Sequence, residues 1–435
     1  AAMISLRGSL DRPPRNEKPF IERKPMCKRK AAMQKLIPWT FFFSLFSLAV
    51  FAVWLSISRF DSSAFADPHL YDCDVVVGPE EEGSRGLMDD DRVAVCLVGG
   101  ARRFELTGPS IVDNVLKMYP KADLFLHSPL DADSFKFSYL KKAPRITAVR
   151  IFHPKPIAEM EFHKRVLTPT GSPKGVQGLL QYFNLVEGCL AMIQNHQTKH
   201  NFTYDWIVRT RVDGYWNGPL DPSNFVKGRY MIPQGSSFGG INDRLGIGDY
   251  NSSVYVFSRL SILPELDAAG YRLANSETLY KAQFTIRGIP YCTNRVPFCI
   301  VSDRKYHFPP LQVGVPVAAI ASHGPLSGAK CRVCQSVCEG QCVEQLMNTL
   351  NKGWGWTEPG NGTLGVCDAH NEWEEGWEKE FDRVAGAELA LERKRVSSLT
   401  LEKCVSDFGD MKKRSRHWDT PPIADICKMG LKSKL

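Results

Sequence analysis

Residues 93–128 read VAVCLVGGARRFELTGPSIVDNVLKMYPKADLFLHS. VAVCLVGG (93–100) is a short apolar run ending in glycines, and ADLFLHS (122–128) is a second apolar run. Between them IVDNVLKMY (111–119) carries apolar residues at helical spacing. The order is strand, helix, strand, which favours parallel strands in an α/β sheet. Further along, GLLQYFNLVEGCLAMIQNH (178–196) is the clearest amphipathic helix, and WIVRT (206–210) follows as a strand. YMIP (230–233) and SSVYVFS (252–258) read as later strands, and TLYKAQFTIRG (278–288) as a helix stopped by its glycine. No internal repeat is visible. The expected fold class is α/β, a mixed, mainly parallel sheet flanked by helices.

At 435 residues and 43% hydrophobic content the chain can bury a sizeable core. Its charge is unevenly placed. Residues 37–57, IPWTFFFSLFSLAVFAVWLSI, are 21 residues without a charge, close to the roughly 20 that span a bilayer. Residues 1–36 hold ten Lys or Arg against three acids, whereas residues 58–91 hold two basic residues and ten acids. The positive-inside rule then puts the N-terminus in the cytosol and the bulk of the chain across the membrane. A cleaved signal peptide is the alternative, with Ala64-Phe-Ala66 as its cleavage site, but signal h-regions run only about 7–15 residues. Most of the formal net charge of +8 belongs to this N-terminal tail, which can lie on anionic lipid, so no nucleic-acid partner is expected. The expected organisation is a basic tail (1–36), a transmembrane signal anchor (37–57), an acidic flexible stem (58–90), a body (91–325) and a Cys-rich, helical C-terminal extension (326–435).

Twelve of the thirteen cysteines follow Cys27, and Asn-x-Ser/Thr sequons stand at Asn201, Asn251 and Asn361, all on the far side of the span. In CRVCQSVCEGQC, residues Cys331, Cys334, Cys338 and Cys342 lie too close together for paired zinc ligands, which are usually separated by about 12 or more residues. Disulfides suit an oxidising lumen better; a zinc-binding module is the other reading. Beyond a Gly/Trp segment (353–362), the stretch 371–395 reads as a charged helix. Its Trp373, Trp377 and Phe381 recur every four residues, so that one face packs against something. The last residues, with Cys404 and Cys427, read as a tail tied down by disulfides.

Two polar segments carry the candidate chemistry. In WIVRTRVDGYW (206–216), Asp213 stands just past a strand, at the carboxyl edge where α/β sheets bind ligands. An aspartate there offers hard oxygens to Mg²⁺ or Mn²⁺, and Arg209 and Arg211 suit a diphosphate, because the guanidinium fork pairs bidentately with phosphate. A structural salt bridge between an arginine and Asp213 is the equal alternative. In GSSFGGINDRLGIGDYNSSVYVF (235–257), Asn242, Asp243, Arg244 and Asp249 sit in a glycine-rich loop, whose backbone can approach a ligand closely.

VCLVGGARRF, ADLFLHS, YDWIVRTRVDGYW and GGINDRLGIGDYNSSVYVF, in that order, resemble a plant family of single-pass membrane proteins of unknown function. Its body resembles GT-A type glycosyltransferases, including bacterial enzymes of lipopolysaccharide synthesis. The resemblance covers roughly residues 92–325. It implies a Rossmann-related, GT-A-like fold and a Golgi-membrane enzyme of type II topology. Such an enzyme moves a sugar from a nucleotide-sugar donor to a glycan, glycoprotein or lipid acceptor. Gly99, Gly100 and Arg102 would then face the nucleotide, together with Arg209, Arg211, Asp213, Asn242 and Arg244. The acidic Asp-x-Asp motif of that fold is reduced here to Arg211-Val-Asp213, so a divalent cation (Mn²⁺ or Mg²⁺) would rest on Asp213 with His323, or arginine would replace part of its role. Asp243, Asp249 and Glu277 are the candidate bases toward the acceptor hydroxyl, although Glu277 also fits an ordinary first helical turn after a Ser cap, and a glycan on Asn251 would keep Asp249 out of a closed pocket. A GT-A-like protein without catalysis, acting as a binding or scaffold protein, is the alternative function.

Overall fold

The computed structural model describes residues 67–71, 73, 87–170, 172–306, 315–322, 324–349 and 364–431. Nine strands form the main sheet. They are β1 (Leu70–Tyr71), β2 (Val93–Val98), β3 (Asp123–Pro129), β4 (Ile146–Phe152), β5 (Trp206–Arg211), β7 (Tyr230–Pro233), β8 (Leu245–Asp249), β9 (Tyr291–Asn294) and β13 (His417–Asp419), in the order β1-β9-β7-β8-β5-β2-β3-β4-β13. Only β8 runs against its neighbours. Four shorter strands, β6 (Gly214–Trp216), β10 (Phe298–Val301), β11 (Ala318–Ala319) and β12 (Lys330–Arg332), form a second sheet in the order β11-β12-β10-β6.

The expected α/β class, with a mainly parallel sheet flanked by helices, is what the chain forms. VAVCLV is buried along its whole length because a parallel strand between two helical layers needs apolar side chains on both faces. Ala94, Cys96 and Val98 point to the face covered by the helix Gly175–His200, through Leu185, Val186, Cys189 and Ile193. Val95 and Leu97 point to the other face, with Leu124, Leu126 and Val208. The strand at 206–211 and the helices at 175–200 and 276–287 stand where the sequence puts them.

One expectation fails. SSVYVFS is not a strand; it belongs to the helix Tyr250–Phe257, whose first turn is capped by the Asp249 carboxylate accepting from the Ser252 N–H at 2.8 Å. The strand lies one step earlier, at LGIGD, and its glycines conceal it. A Cβ on Gly246 or Gly248 would come within 2.5 or 2.3 Å of the Tyr230 ring, so that one aromatic fills the space of two side chains. Past residue 325 the described chain stays tied to the body by strand pairing and core packing. β12 pairs with β10, β13 completes the main sheet beside β4, and Cys404, Phe408, Met411 and Ile426 enter the same core as Val95 and Leu97.

All twelve cysteines after Cys27 are in disulfides: Cys73–Cys292, Cys96–Cys189, Cys299–Cys331, Cys334–Cys367, Cys338–Cys342 and Cys404–Cys427. The four clustered cysteines therefore have no thiolate for zinc, which removes the zinc-module reading. On the helix Trp377–Ser397, Phe381 is fully buried against Tyr215, while the Trp373 and Trp377 rings hold the Arg103 guanidinium at 4.0 and 5.0 Å. Among the described residues no helix is long and apolar enough to cross a membrane; the span expected at 37–57 and most of the stem lie outside them.

Candidate functional site

The site lies where the first sheet hands over to the second. β5 ends at Arg211, β6 begins at Gly214, and the Asp213 carbonyl between them accepts from the Val301 N–H of β10 at 2.9 Å. Gly99, at the end of β2, holds φ +127°, and a Cβ there would meet Val212 at 2.8 Å; at Gly100 it would meet the Asp131 carboxylate at 2.6 Å. Both glycines let this edge of the backbone pack tightly and turn. Arg102 is exposed at the rim.

Arg211 and Asp213 are paired to each other. Nε and Nη2 of Arg211 donate to the two carboxylate oxygens at 2.8 and 2.7 Å. Burial would raise the Asp213 pKa, but the Arg211 guanidinium outweighs it and holds the carboxyl at about 2. Arg209, on the same face of β5, is fully buried. It donates through Nη1 to the Tyr182 hydroxyl at 2.9 Å, and its Nε and Nη2 face Tyr230 and Tyr280 and meet no carboxylate among the described residues. Tyr182 in turn donates to the Asp243 carbonyl at 3.0 Å.

The glycine-rich loop supplies the opposite wall. Gly235, Ser236, Phe238 and Gly239 all hold positive φ, between 43° and 85°, and a Cβ at Gly240 would fall 2.0 Å from the Glu277 carbonyl. Strained non-glycine backbone of this kind persists only where the surroundings hold it, as at functional sites. The loop lies over the first turn of the helix Ser276–Arg287, whose cap is Asn275, not a serine. Asn242 braces it by donating to the Ser327 carbonyl at 2.9 Å. Asp243 accepts from the Ser276 hydroxyl and lies 3.7 Å from the buried Arg259. Burial works to raise its pKa, but Arg259 and Arg209 prevail and lower it. Arg244 donates to the Gly328 carbonyl at 3.0 Å, and its Nη2 is 3.9 Å from Glu277. The Glu277 carboxyl, desolvated and facing Asp243, is pushed up to about 7.

Sequence reasoning missed Lys330. It comes from β12, pinned against β10 by the Cys299–Cys331 disulfide, and its ammonium makes no hydrogen bond or ion pair among the described residues. Burial, then Arg244 and Arg211, push its ammonium down to about 7, while Asp213 and Glu277 oppose them. Arg211, Asp213, Arg244 and Glu277 are thus the charges that act on Lys330. The only signal for Lys330 was its place beside Cys331 in GAKCRVC, a segment whose cysteines claim the attention.

Asp249 does not join this site. Its register partner is Trp206, at the amino end of β5, whereas Arg244 stands just beyond the pairing of Leu245 with Thr210. Five strand residues separate the two, on the order of 17 Å. Asn251, exposed beside Asp249, and Asn201, exposed after the long helix, are also remote from the site, so the conflict expected between a glycan and the pocket does not arise. His323 and Asn361 lie outside the described residues.

Among the described residues the donors do not fit a divalent cation. Arg211 occupies both oxygens of Asp213, and no three His, Cys, Asp or Glu groups converge. They do fit an anion. Arg209, Arg211, Arg244 and Arg259 face the carboxylates of Asp213 and Asp243 with two positive charges in excess before Lys330 and Glu277 are counted. Nε and Nη1 of Arg259 and the Ser236 hydroxyl also lack hydrogen-bond partners among the described residues. Buried donors without acceptors are costly and call for an explanation.

No curated protein matches the sequence. A family profile described as a domain of unknown function, DUF7796, matches residues 88–433, running without a break through the sheet, the site and the C-terminal helices; the chain belongs to that family.

Proposed function

We propose that the chain is a glycosyltransferase with a GT-A-like body, which moves a sugar from a nucleotide-sugar donor to a hydroxyl of a glycan, glycoprotein or lipid. Residues 37–57 would hold it in the Golgi membrane as a type II protein. The observation that carries this reading is the excess of buried cations with unpaired donors at the carboxyl edge of a mainly parallel sheet, around Glu277 and Lys330.

The chemistry follows from those groups. The bond from the sugar's anomeric carbon to the diphosphate breaks, and its electron pair leaves with the β-phosphate oxygen. Arg244 and Lys330 neutralise the charge that develops there, a service fixed dipoles and cations perform best in a desolvated site. Glu277 accepts the acceptor's proton as the new carbon–oxygen bond forms; a carboxylate titrating near 7 is suited to a base at neutral pH. Bound phosphate favours protonated Lys330, so donor binding takes up protons.

A second reading, a binding or scaffold protein, is favoured by one observation: the acidic residue at the strand end is already closed by Arg211. The two separate in a calorimetric and turnover screen of the full chain against nucleotide sugars. The transferase reading expects one donor to bind and to release nucleoside diphosphate when acceptors are supplied. Binding of no donor by folded protein overturns it; binding without release under any acceptor supports the scaffold.

A further inference from the structure

A second concavity, of about 250 Å³, opens against the other half of the main sheet, between the helix Gly175–His200, β4 and β13. The helix contributes His196, Lys199 and His200, which share a face at three- and four-residue spacing. β4 contributes Arg150, and the C-terminal segment brings Arg416, His417 and Asp419 from more than two hundred residues away. Its carboxylates are already engaged. Asp419 pairs with Arg150 at 3.1 Å, and Asp123, behind His196, pairs with Arg145 at 2.7 Å. Lys199 and Arg416 have no carboxylate partner among the described residues. The cavity therefore carries uncompensated positive charge, and three histidines can add to it.

We propose that this cavity is an oxyanion site that takes a phosphate or sulfate group, free or as a sugar ester, and holds it more tightly as pH falls. Lys199 and Arg416 supply permanent charge from opposite walls. His196 and His200, with rings 4.5 Å apart, and His417 add imidazole nitrogens to the lining. The groups facing them set the sign. Burial lowers the His196 pKa first; Asp123 opposes this, while His200, Arg416 and Arg145 add to it. His127, behind Gly188, is held down to about 4 by burial and stays neutral. An anion in the cavity offsets the mutual repulsion of these cations. Binding and protonation therefore reinforce each other.

The site lies away from the Arg211–Lys330 cluster, so its test is independent of the proposed transfer reaction. The full chain, labelled in its histidine rings, is titrated from about pH 5.5 to 7.5 with and without inorganic sulfate, whose charge is constant over that range. The His200 and His417 signals, assigned by their loss in His200→Gln and His417→Gln, report this cavity alone. Sulfate is expected to raise each midpoint by about one unit, equivalent to roughly tenfold tighter binding at the lower pH for each histidine. Arg416→Gln, an exposed position, should abolish most of that shift. A monosaccharide sulfate that binds more tightly than the free ion identifies the ester as the ligand form; equal affinity identifies the ion. Midpoints unmoved by millimolar sulfate, or moved equally in Arg416→Gln, overturn the proposal.

Discussion

Two buried polar clusters sit at opposite ends of the main sheet, and they differ in how completely they are satisfied. At the amino end, the Asp123 carboxylate accepts from the Tyr204 hydroxyl at 2.7 Å, from the Thr147 hydroxyl and from Arg145 at 2.7 Å. At the carboxyl end, Arg209 and Arg259 are as deeply buried, yet among the described residues Arg259 leaves two nitrogens without an acceptor and Arg209 has only tyrosines to meet two of its own. Folding selects the first kind of cluster, because an unmade hydrogen bond inside a protein costs more than a made one contributes. The second kind survives when something outside the chain completes it. Breaking the first should cost stability alone, and breaking the second should cost function.

The largest effect is expected at Glu277. Glu277→Gln keeps the shape of the side chain and removes the base, so turnover of the donor identified by screening should fall about 10²–10⁴-fold. Donor affinity and the unfolding midpoint should change little. A variant with full turnover would move the proton acceptor elsewhere and leave Glu277 a helix-turn residue. At the other end, Asp123→Ala should lose roughly 2–3 kcal/mol in chemical denaturation by stranding the buried Tyr204 and Thr147 hydroxyls, with donor binding unaltered. Equal losses of donor binding in the two variants would erase the distinction between the clusters.

A smaller effect follows from pH. Glu277 is raised from 4.5 to about 7, so the folded chain binds more protons than the unfolded one in that window, and stability falls as pH rises through it. Lys330 is lowered from 10.5 to about 7, so the unfolded chain binds more protons above 7, and stability rises again. Together they predict a trough centred near pH 7, about 1–3 kcal/mol deep relative to a Glu277→Gln, Lys330→Met variant. A bound diphosphate should fill it. Unfolding free energies of the two proteins that run parallel across this range would show that neither group is perturbed.

The sheet was legible in the sequence because its central strands are buried on both faces and so read as unbroken apolar runs, VAVCLV and WIV above all. What escaped was structure whose cause is remote in the chain. LGIGD carries no strand signal of its own, because the ring that fills its glycine positions belongs to Tyr230. Lys330 looked like a neighbour of cysteines, and it becomes a site residue only because the disulfide to Cys299 places its strand beside β10. The sequence left Arg211 and Asp213 poised between ligand and salt bridge; the pair is formed, and the charge left over comes from Arg209, Arg244, Arg259 and Lys330.

Asp249 sharpens the comparison by the smallest effect. It read as a catalytic candidate because it shares a polar loop with Asp243, and six residues of sequence separate them. A strand rises about 3.3 Å per residue, however, and β8 carries the second aspartate to the amino edge, where its carboxylate caps a helix. Asp249→Ala should therefore cost about 1 kcal/mol of stability, the ordinary value of an N-cap, and leave turnover as it was. Asp249→Ser, which restores a capping oxygen without a charge, should recover most of that loss. Turnover that fell in both variants while stability held would return Asp249 to the chemistry, and would require a ligand long enough to reach across the sheet.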